Sequence, residues 1–308
     1  MAYKILSILG YYKIKKKVKH RIFCHKLQKE DARKKAEVIK CIDSLSGELL
    51  KKSCDESDII VSLTSYGTRV TDTLPYTLYS LLQQSRMPNR IVVWLDEDHW
   101  DEEKLPSILR KLEDLGVEFY YVPDLRSYKK LIPALKQFPD NIIITVDDDL
   151  YYNPNTIEWL TDTYQASDKR SVIGTWAYPA KKKDGQYLPY SNWREGDADN
   201  LSEDCSLIGC GGILYPPHIF DKEILREELF MEMAPTADDL WFWVMEKRLG
   251  IPVKLIPNAK YGLHTAVNRI DIWEPERGGS LYYTNEIKGA NDLQFMKLIS
   301  HYNIKPQQ

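Results

Sequence analysis

Three adjacent carboxylates, Asp147, Asp148 and Asp149, directly follow the apolar run Asn141–Val146. Like charges this close repel, and each is costly to desolvate, so a cation is the natural remedy. Oxygen-only ligands suit Mg²⁺ or Mn²⁺, which share their coordination with substrate phosphates. A solvated acidic turn capping a helix from Pro154 would read the same way. A second acidic pair, Asp238 and Asp239, follows Pro235-Thr236-Ala237. That places it in the first turn of a helix, where the dipole favours ionised carboxylates. No GxxxxGK[ST] or GxGxxG motif occurs, which excludes a P-loop and argues against a dinucleotide fold.

The elements that must position these residues alternate. Short β-branched runs at Asp58–Thr64, Arg90–Leu95, Val117–Val122 and Asn141–Val146 read as buried strands. Helical spacing between them covers Thr73–Gln84, Asp101–Leu115 and Ser127–Gln137. This is the pattern of βαβ units and a largely parallel sheet covered on both faces. Further on, the sequence predicts helices over Pro154–Ala166, His218–Leu229, Thr236–Leu249 and Asp292–Tyr302, and a strand over Val172–Ala177. In open sheets of this kind ligands bind at the carboxyl ends of the strands, where the acidic triplet falls.

Charge is distributed unevenly. Residues 1–40 hold 13 Lys/Arg against 3 Asp/Glu, whereas the whole chain of 308 residues has a net charge of −3. Residues 1–55 read as a basic helical extension, with Ile22, Phe23, Leu27 and then Ala36, Ile39, Ile42 at helical spacing. The extension is either a solvated hairpin packed on the body or an anchor to an anionic membrane surface. Residues 56–308 read as one α/β domain. The acidic body argues against nucleic-acid binding. No apolar run reaches the ~20 residues of a spanning helix. The apolar stretch of the N-terminus precedes its lysines, the reverse of a secretory signal. Five cysteines without a CxxC pair fit reduced thiols in the cytoplasm, with the extension placing the protein at the cytoplasmic face of a membrane.

These pieces, in order, resemble the GT-A glycosyltransferases. Asp147-x-Asp149 after a strand resembles their DxD motif. Val61–Tyr66 resembles the first strand and base-binding turn, Leu78–Pro88 the helix exit of glycosyltransferase family 2, and Arg90–Asp96 the second strand. Gly209–Leu214 resembles the Gly-rich acceptor-side segment, and Ala237–Trp241 the "ED" motif at a helix start. The paired acidic motifs also resemble exostosin-like transferases. The first turn departs from the usual Pro-Thr-Tyr-Asn wording, and the second strand from a full Asp-Asp-Gly-Ser.

The resemblance implies a metal-dependent glycosyltransferase that uses a nucleotide-diphosphate sugar, with a UDP-sugar expected, and a saccharide or lipid-linked saccharide acceptor in bacterial surface polysaccharide synthesis. It implies Asp149 and His264 on Mn²⁺ or Mg²⁺. Asp147 would lie on the ribose or sugar with Asp148 beside it, facing donor or solvent. Thr64, Tyr66, Arg69 and Asp96 would surround the nucleoside, and Lys129 or Lys130 would reach a phosphate. Asp239, with Asp238, would be the general base of an inverting enzyme, or a bystander in a retaining one. Trp193, Arg194, Gly211 and Gly212 would face the acceptor, and the stretch from Trp273 to Asn291 would order over the donor. Two other readings stand beside this one. A sugar-1-phosphate nucleotidyltransferase would want a more Gly-rich loop than Ser65–Arg69, and a non-catalytic carbohydrate-binding protein would leave the ordered carboxylates unexplained.

Overall fold

A computed structural model describes residues 2–50, 59–193, 204–256, 264–273 and 283–306, with side chains from Val18 onward except at 286 and 287. The expected domain boundary at 55/56 lies outside the described residues. The chain opens with α1 (Ala2–Ser44), one continuous helix of 43 residues rather than a hairpin. At 1.5 Å per residue it spans about 65 Å. Leu27, Val38 and Ile42 are buried against the body, whereas Val18, Ile22 and Phe23 are exposed.

The alternating region follows as β1 (Ile59–Thr64), α2 (Arg69–Asp72), α3 (Leu74–Leu81), β2 (Arg90–Asp96), α4 (Ser107–Asp114), β3 (Glu118–Val122), a 3-10 turn at Arg126–Lys130, α5 (Ile132–Gln137) and β4 (Ile142–Thr145). Helix α4 starts later than the spacing predicts, because Pro106 holds an extended backbone at its N-cap. The helix expected over 127–137 is split at Leu131, where φ is −121°. Next come β5 (Leu150–Tyr152), α6 (Thr156–Gln165), β6 (Val172–Gly174), β7 (Ala177–Pro179), the hairpin of β8 (Lys182–Lys183) and β9 (Gln186–Tyr187), and β10 (Cys205–Leu207). A 3-10 turn at Gly209–Gly211 leads into β11 (Ile213–Tyr215). The described chain closes with α7 (Glu227–Met233), α8 (Asp238–Leu249), β12 (Val253–Leu255), β13 (His264–Ala266), α9 (Ile270–Trp273) and α10 (Ala290–His301).

Seven strands form one sheet in the order β12-β6-β11-β4-β1-β2-β3. Strand β11 alone among them is antiparallel to its neighbours, so the sheet is mixed but mostly parallel, with helices on both faces. Alternate residues part to the two faces, as the period of two requires. Ile60, Val92, Trp94 and Ile143 join the core that includes α7, α8 and α10. Val61, Leu63, Val93 and Ile144 join the core that includes α1, α3, α4 and α6. The reversal of β11 puts Ile213 beside Thr145, so the glycine turn before it stands next to the acidic triplet. The triplet itself runs straight into β5, which pairs antiparallel with β13 and sets His264 opposite Tyr152.

Trp193 is corrected by this fold. Its side chain is fully buried against Trp243 and Phe295, and its indole N–H donates to the Leu188 carbonyl. It is a core residue, not an acceptor platform. Arg194 lies outside the described residues, as does most of the expected tail flap.

Helix α8 carries a buried acid, Glu246, whose Oε2 has no hydrogen-bond partner. Burial pushes its carboxyl up to about 8, against the opposing pull of Lys247. A folded-state value above the unfolded one means stability that is present at low pH and is lost as pH rises through about 8. Glu246→Gln should therefore be more stable than the wild type above pH 8, by on the order of a few kcal/mol, and comparable to it near pH 4. Urea unfolding across that pH range measures this. Parallel curves for the two proteins would contradict it.

Candidate active site

Lys130 is the hub of the strand-end site. It ends the 3-10 turn before α5 and is buried. Its Nζ lies 3.1 Å from Asp147 Oδ1, 3.0 Å from Asp238 Oδ2 and 3.7 Å from Asp239 Oδ1. One ammonium thus joins the acidic triplet after β4 to the acidic pair that opens α8. Burial alone would discharge this amine, but the three carboxylates outweigh it and hold it well above its ordinary value. The backbone of Lys130 is fixed as well. Its carbonyl accepts from Ser62 Oγ of β1 at 2.6 Å, and Ser62 accepts from the Trp94 indole at 2.8 Å. Tyr128, two residues before it, stacks on Phe230 at 3.9 Å and donates to the Ala234 carbonyl just ahead of α8. The phosphate contact expected of Lys130 is not what this geometry presents, since its ammonium is turned onto carboxylates.

Arg69 neutralises the other end of the triplet. It pairs with Asp148 Oδ1 at 2.7 Å and with Asp149 Oδ2. Asp148 is buried and also accepts from Ser65, so it braces the site from within and faces neither solvent nor donor. Arg69 is accordingly a partner of the acidic motif rather than a free nucleoside contact. Asp147 is held from behind, its N–H donating to Tyr152 Oη at 2.8 Å while Tyr152 donates to the Cys210 carbonyl at 2.9 Å. Asp149 has its carboxyl pushed up to about 7, by burial against the opposing charge of Arg69 and with the help of its two acidic neighbours.

Asp239 Oδ2 accepts from the Gly209 N–H at 3.0 Å, and its Oδ1 makes no hydrogen bond. Burial pushes this carboxyl up to about 7, with Lys130 opposing and Asp238 adding to the rise. Both acids sit in the first turn of α8, yet their side chains reach Lys130 and Gly209 rather than capping that turn. Gly209 must be a glycine, because a Cβ there would lie 2.5 Å from Lys130 Nζ and 2.7 Å from Asp239 Oδ1. Gly211 and Gly212, expected to face an acceptor, are buried. A Cβ on Gly211 would strike Thr175 Oγ1 at 2.3 Å, and Gly212 takes a φ of +95° to turn the chain into β11.

His264 lies across from Tyr152, with its ring 6.1 Å from that of the half-buried Trp176. Burial lowers its imidazole below the ordinary value, and its Nδ1 has no hydrogen-bond partner. Just past β13, the Val267 N–H donates to the Asp149 carbonyl at 2.8 Å, which fixes this segment against the triplet. Among the described residues no three His, Cys, Asp or Glu converge as a complete ligand set. The donors at hand, carboxylates with one unpartnered imidazole nitrogen, fit a hard divalent cation that keeps positions for substrate oxygens.

Of the residues expected around a nucleoside, Thr64 donates to the Trp94 carbonyl at 2.8 Å, Tyr66 is exposed beside Arg69, and Asp96 accepts the His99 N–H through Oδ1. Lys129 is turned away, paired with Asp124. Trp176 carries no signal in the sequence, and Gly209 none beyond its membership of a glycine-rich run.

The model of glycosyl transferase family 2 matches residues 63–227, more than half of the chain. The chain belongs to that family. It is a nucleotide-sugar glycosyltransferase of GT-A fold, and the family decides against the nucleotidyltransferase and non-catalytic readings. No curated protein matches this transferase. Among solved structures, glucosyl-3-phosphoglycerate synthase from Mycobacterium tuberculosis in complex with Mn²⁺, UDP and glucosyl-3-phosphoglycerate is 14% identical, with 82% of each chain covered and a TM-score of 0.46. Mannosyltransferase PcManGT from Pyrobaculum calidifontis in complex with GDP-Man and Mn²⁺ is 12% identical, with 85% of this chain and 79% of that one covered and a TM-score of 0.44. A cytidylyltransferase from Leptospira borgpetersenii is 12% identical, with 82% of this chain and 98% of that one covered and a TM-score of 0.42.

The bridging role of Lys130 has a measurable signature. In Lys130→Met, three carboxylates lose their shared cation. At pH 8, where the acids are ionised, the loss of stability should be about 3–5 kcal/mol. At pH 5 it should be clearly smaller, because Asp239, whose carboxyl is pushed up to about 7, is then protonated. Chemical denaturation at the two pH values decides it, and equal losses would contradict the bridge.

Proposed function

We propose that this glycosyltransferase moves a sugar from a nucleotide-diphosphate donor, a UDP-sugar, to a hydroxyl of a saccharide or lipid-linked saccharide, with inversion at the anomeric carbon. The observation that carries the reading is Asp239. Its Oδ2 accepts from the Gly209 N–H, its Oδ1 is buried beside Lys130 without a hydrogen bond, the side chain is still partly exposed, and its carboxyl is pushed up to about 7. A base works best with a pKa near the operating pH. The Asp239 carboxylate takes the acceptor hydroxyl proton as the hydroxyl oxygen bonds to the anomeric carbon. The bond from that carbon to the β-phosphate oxygen breaks, and the nucleoside diphosphate leaves. Lys130 keeps Asp147 and Asp238 charge-balanced during this step, so the base is not driven to hold its proton.

Asp149 and His264 would hold Mn²⁺ or Mg²⁺, with Arg69 released toward the diphosphate as the carboxylate turns to the ion. The bound ion supplies charge neutralisation of the leaving diphosphate. Asp147 would contact the ribose or donor sugar. Tyr66 and Thr64 border the place for the base, and Asp96 keeps Oδ2 for a uracil N–H. Trp176 replaces Trp193 as the aromatic face on which an acceptor sugar stacks. A lipid-linked acceptor in surface polysaccharide synthesis suits a protein whose basic α1 lies at the cytoplasmic face of an anionic membrane.

Asp239→Asn keeps the shape and the acceptor for the Gly209 N–H but removes the base. Turnover should fall by about 10²–10⁴-fold. Donor affinity should hold and the melting temperature should barely move, since Asn serves a helix start about as well as Asp. Near-normal turnover would refute the assignment, and a product with retained anomeric configuration by NMR would refute inversion.

A further inference from the structure

Helices α1 and α9 together leave an apolar patch open to solvent. On α1, Val18, Ile22 and Phe23 are 52%, 65% and 41% exposed, and on α9, Ile272 and Trp273 are 66% and 56% exposed. Phe23 and Trp273 meet edge to face with ring centres 5.2 Å apart, so the two helices present one continuous surface. The junction is fixed by charge. Arg269, just before α9, donates to the buried Asp31 of α1 through its backbone N–H at 2.9 Å and its Nε at 2.6 Å, and reaches Glu30 at 3.0 Å.

The stretch of α1 that carries this patch has charge of one sign. The first 29 residues hold nine Lys/Arg and no Asp or Glu, and the acids begin at Glu30 where the helix is clasped to α9. Among the described residues no helix is long and apolar enough to cross a membrane. An aromatic and aliphatic strip on a segment whose charges are all cationic is complementary to the anionic face of a bilayer, with the rings at the headgroup boundary and the ammonium groups on the phosphates.

We infer that α1 and α9 form a single docking surface for an anionic bilayer, in which Ile272 and Trp273 insert beside Ile22 and Phe23 and the lysines of α1 supply the attraction. This rests on the membrane reading proposed above and adds the second element to it. The surface is coupled to the active site by the chain itself. Trp273 stands six residues after Val267, whose N–H is held by the Asp149 carbonyl. Docking on α9 therefore sets the bilayer beside the metal-side edge of the site, where a lipid-linked sugar must arrive.

The test is co-sedimentation of the full-length protein with vesicles of phosphatidylcholine alone or with phosphatidylglycerol added. The wild type should bind the anionic vesicles, and binding should weaken as salt rises. The double variant Phe23→Ala/Ile272→Asp should lose at least tenfold in vesicle affinity while keeping turnover of a soluble acceptor. Asp31→Asn, which loosens the clasp, should fall between the two. No binding of the wild type to anionic vesicles would overturn the membrane reading and this inference together. Binding by the double variant equal to that of the wild type would overturn the inference alone and leave α1 as an anchor by itself. A wild-type dimer in sedimentation velocity that the double variant converts to monomer would overturn it too, by assigning the patch to a second copy of the chain.

Discussion

A single buried ammonium holds this site together. Lys130 is the only cation within reach of both acidic motifs among the described residues, and the motifs lie 91 residues apart in the chain. Without it, Asp147, Asp238 and Asp239 would repel one another at a largely desolvated strand end. The elements around it serve its placement. Ser62 holds its carbonyl, Tyr128 ties its turn to the end of α7, and Gly209 is bare so that its Nζ has room. The reversed strand β11 matters for the same reason, because it delivers Gly209 to the carboxyl edge of β4.

Charge is divided between two cations with different tasks. Lys130 is enclosed and engaged on several sides, whereas Arg69 lies at the more open end with Asp149. Arginine's planar fork satisfies two carboxylates at once and can be exchanged for another charge at the outer one. Asp149 and Asp239, both pushed up to about 7 by burial, face different cations, Arg69 and Lys130.

Much of the fold is legible in the sequence because β1, β2 and β4 are short apolar runs rich in β-branched residues and buried on both faces. The acidic triplet is legible because three like charges side by side at a strand end repel unless a cation joins them. Trp193 misleads because a polar neighbourhood, Ser191-Asn192 and Arg194, says nothing about burial by α8 and α10. The pairing of β5 with β13 brings together residues more than a hundred apart, and three-residue strands carry no periodicity to announce it. Lys130 is visible in the sequence only as one of two adjacent lysines. The 3-10 turn sends Lys129 to Asp124 and Lys130 inward, a choice that depends on tertiary contacts with β1 and α8.

In the proposed reaction the carboxylates after β4 receive a metal-bound nucleoside diphosphate. Isothermal titration of UDP into the wild type, with Mn²⁺ and then with EDTA, tests it directly, alongside Asp149→Ala. The expected result is saturable binding that EDTA abolishes and that the variant loses while its melting temperature stays close to that of the wild type. Binding of equal strength with EDTA, or undiminished Mn²⁺-dependent binding by Asp149→Ala, would contradict it.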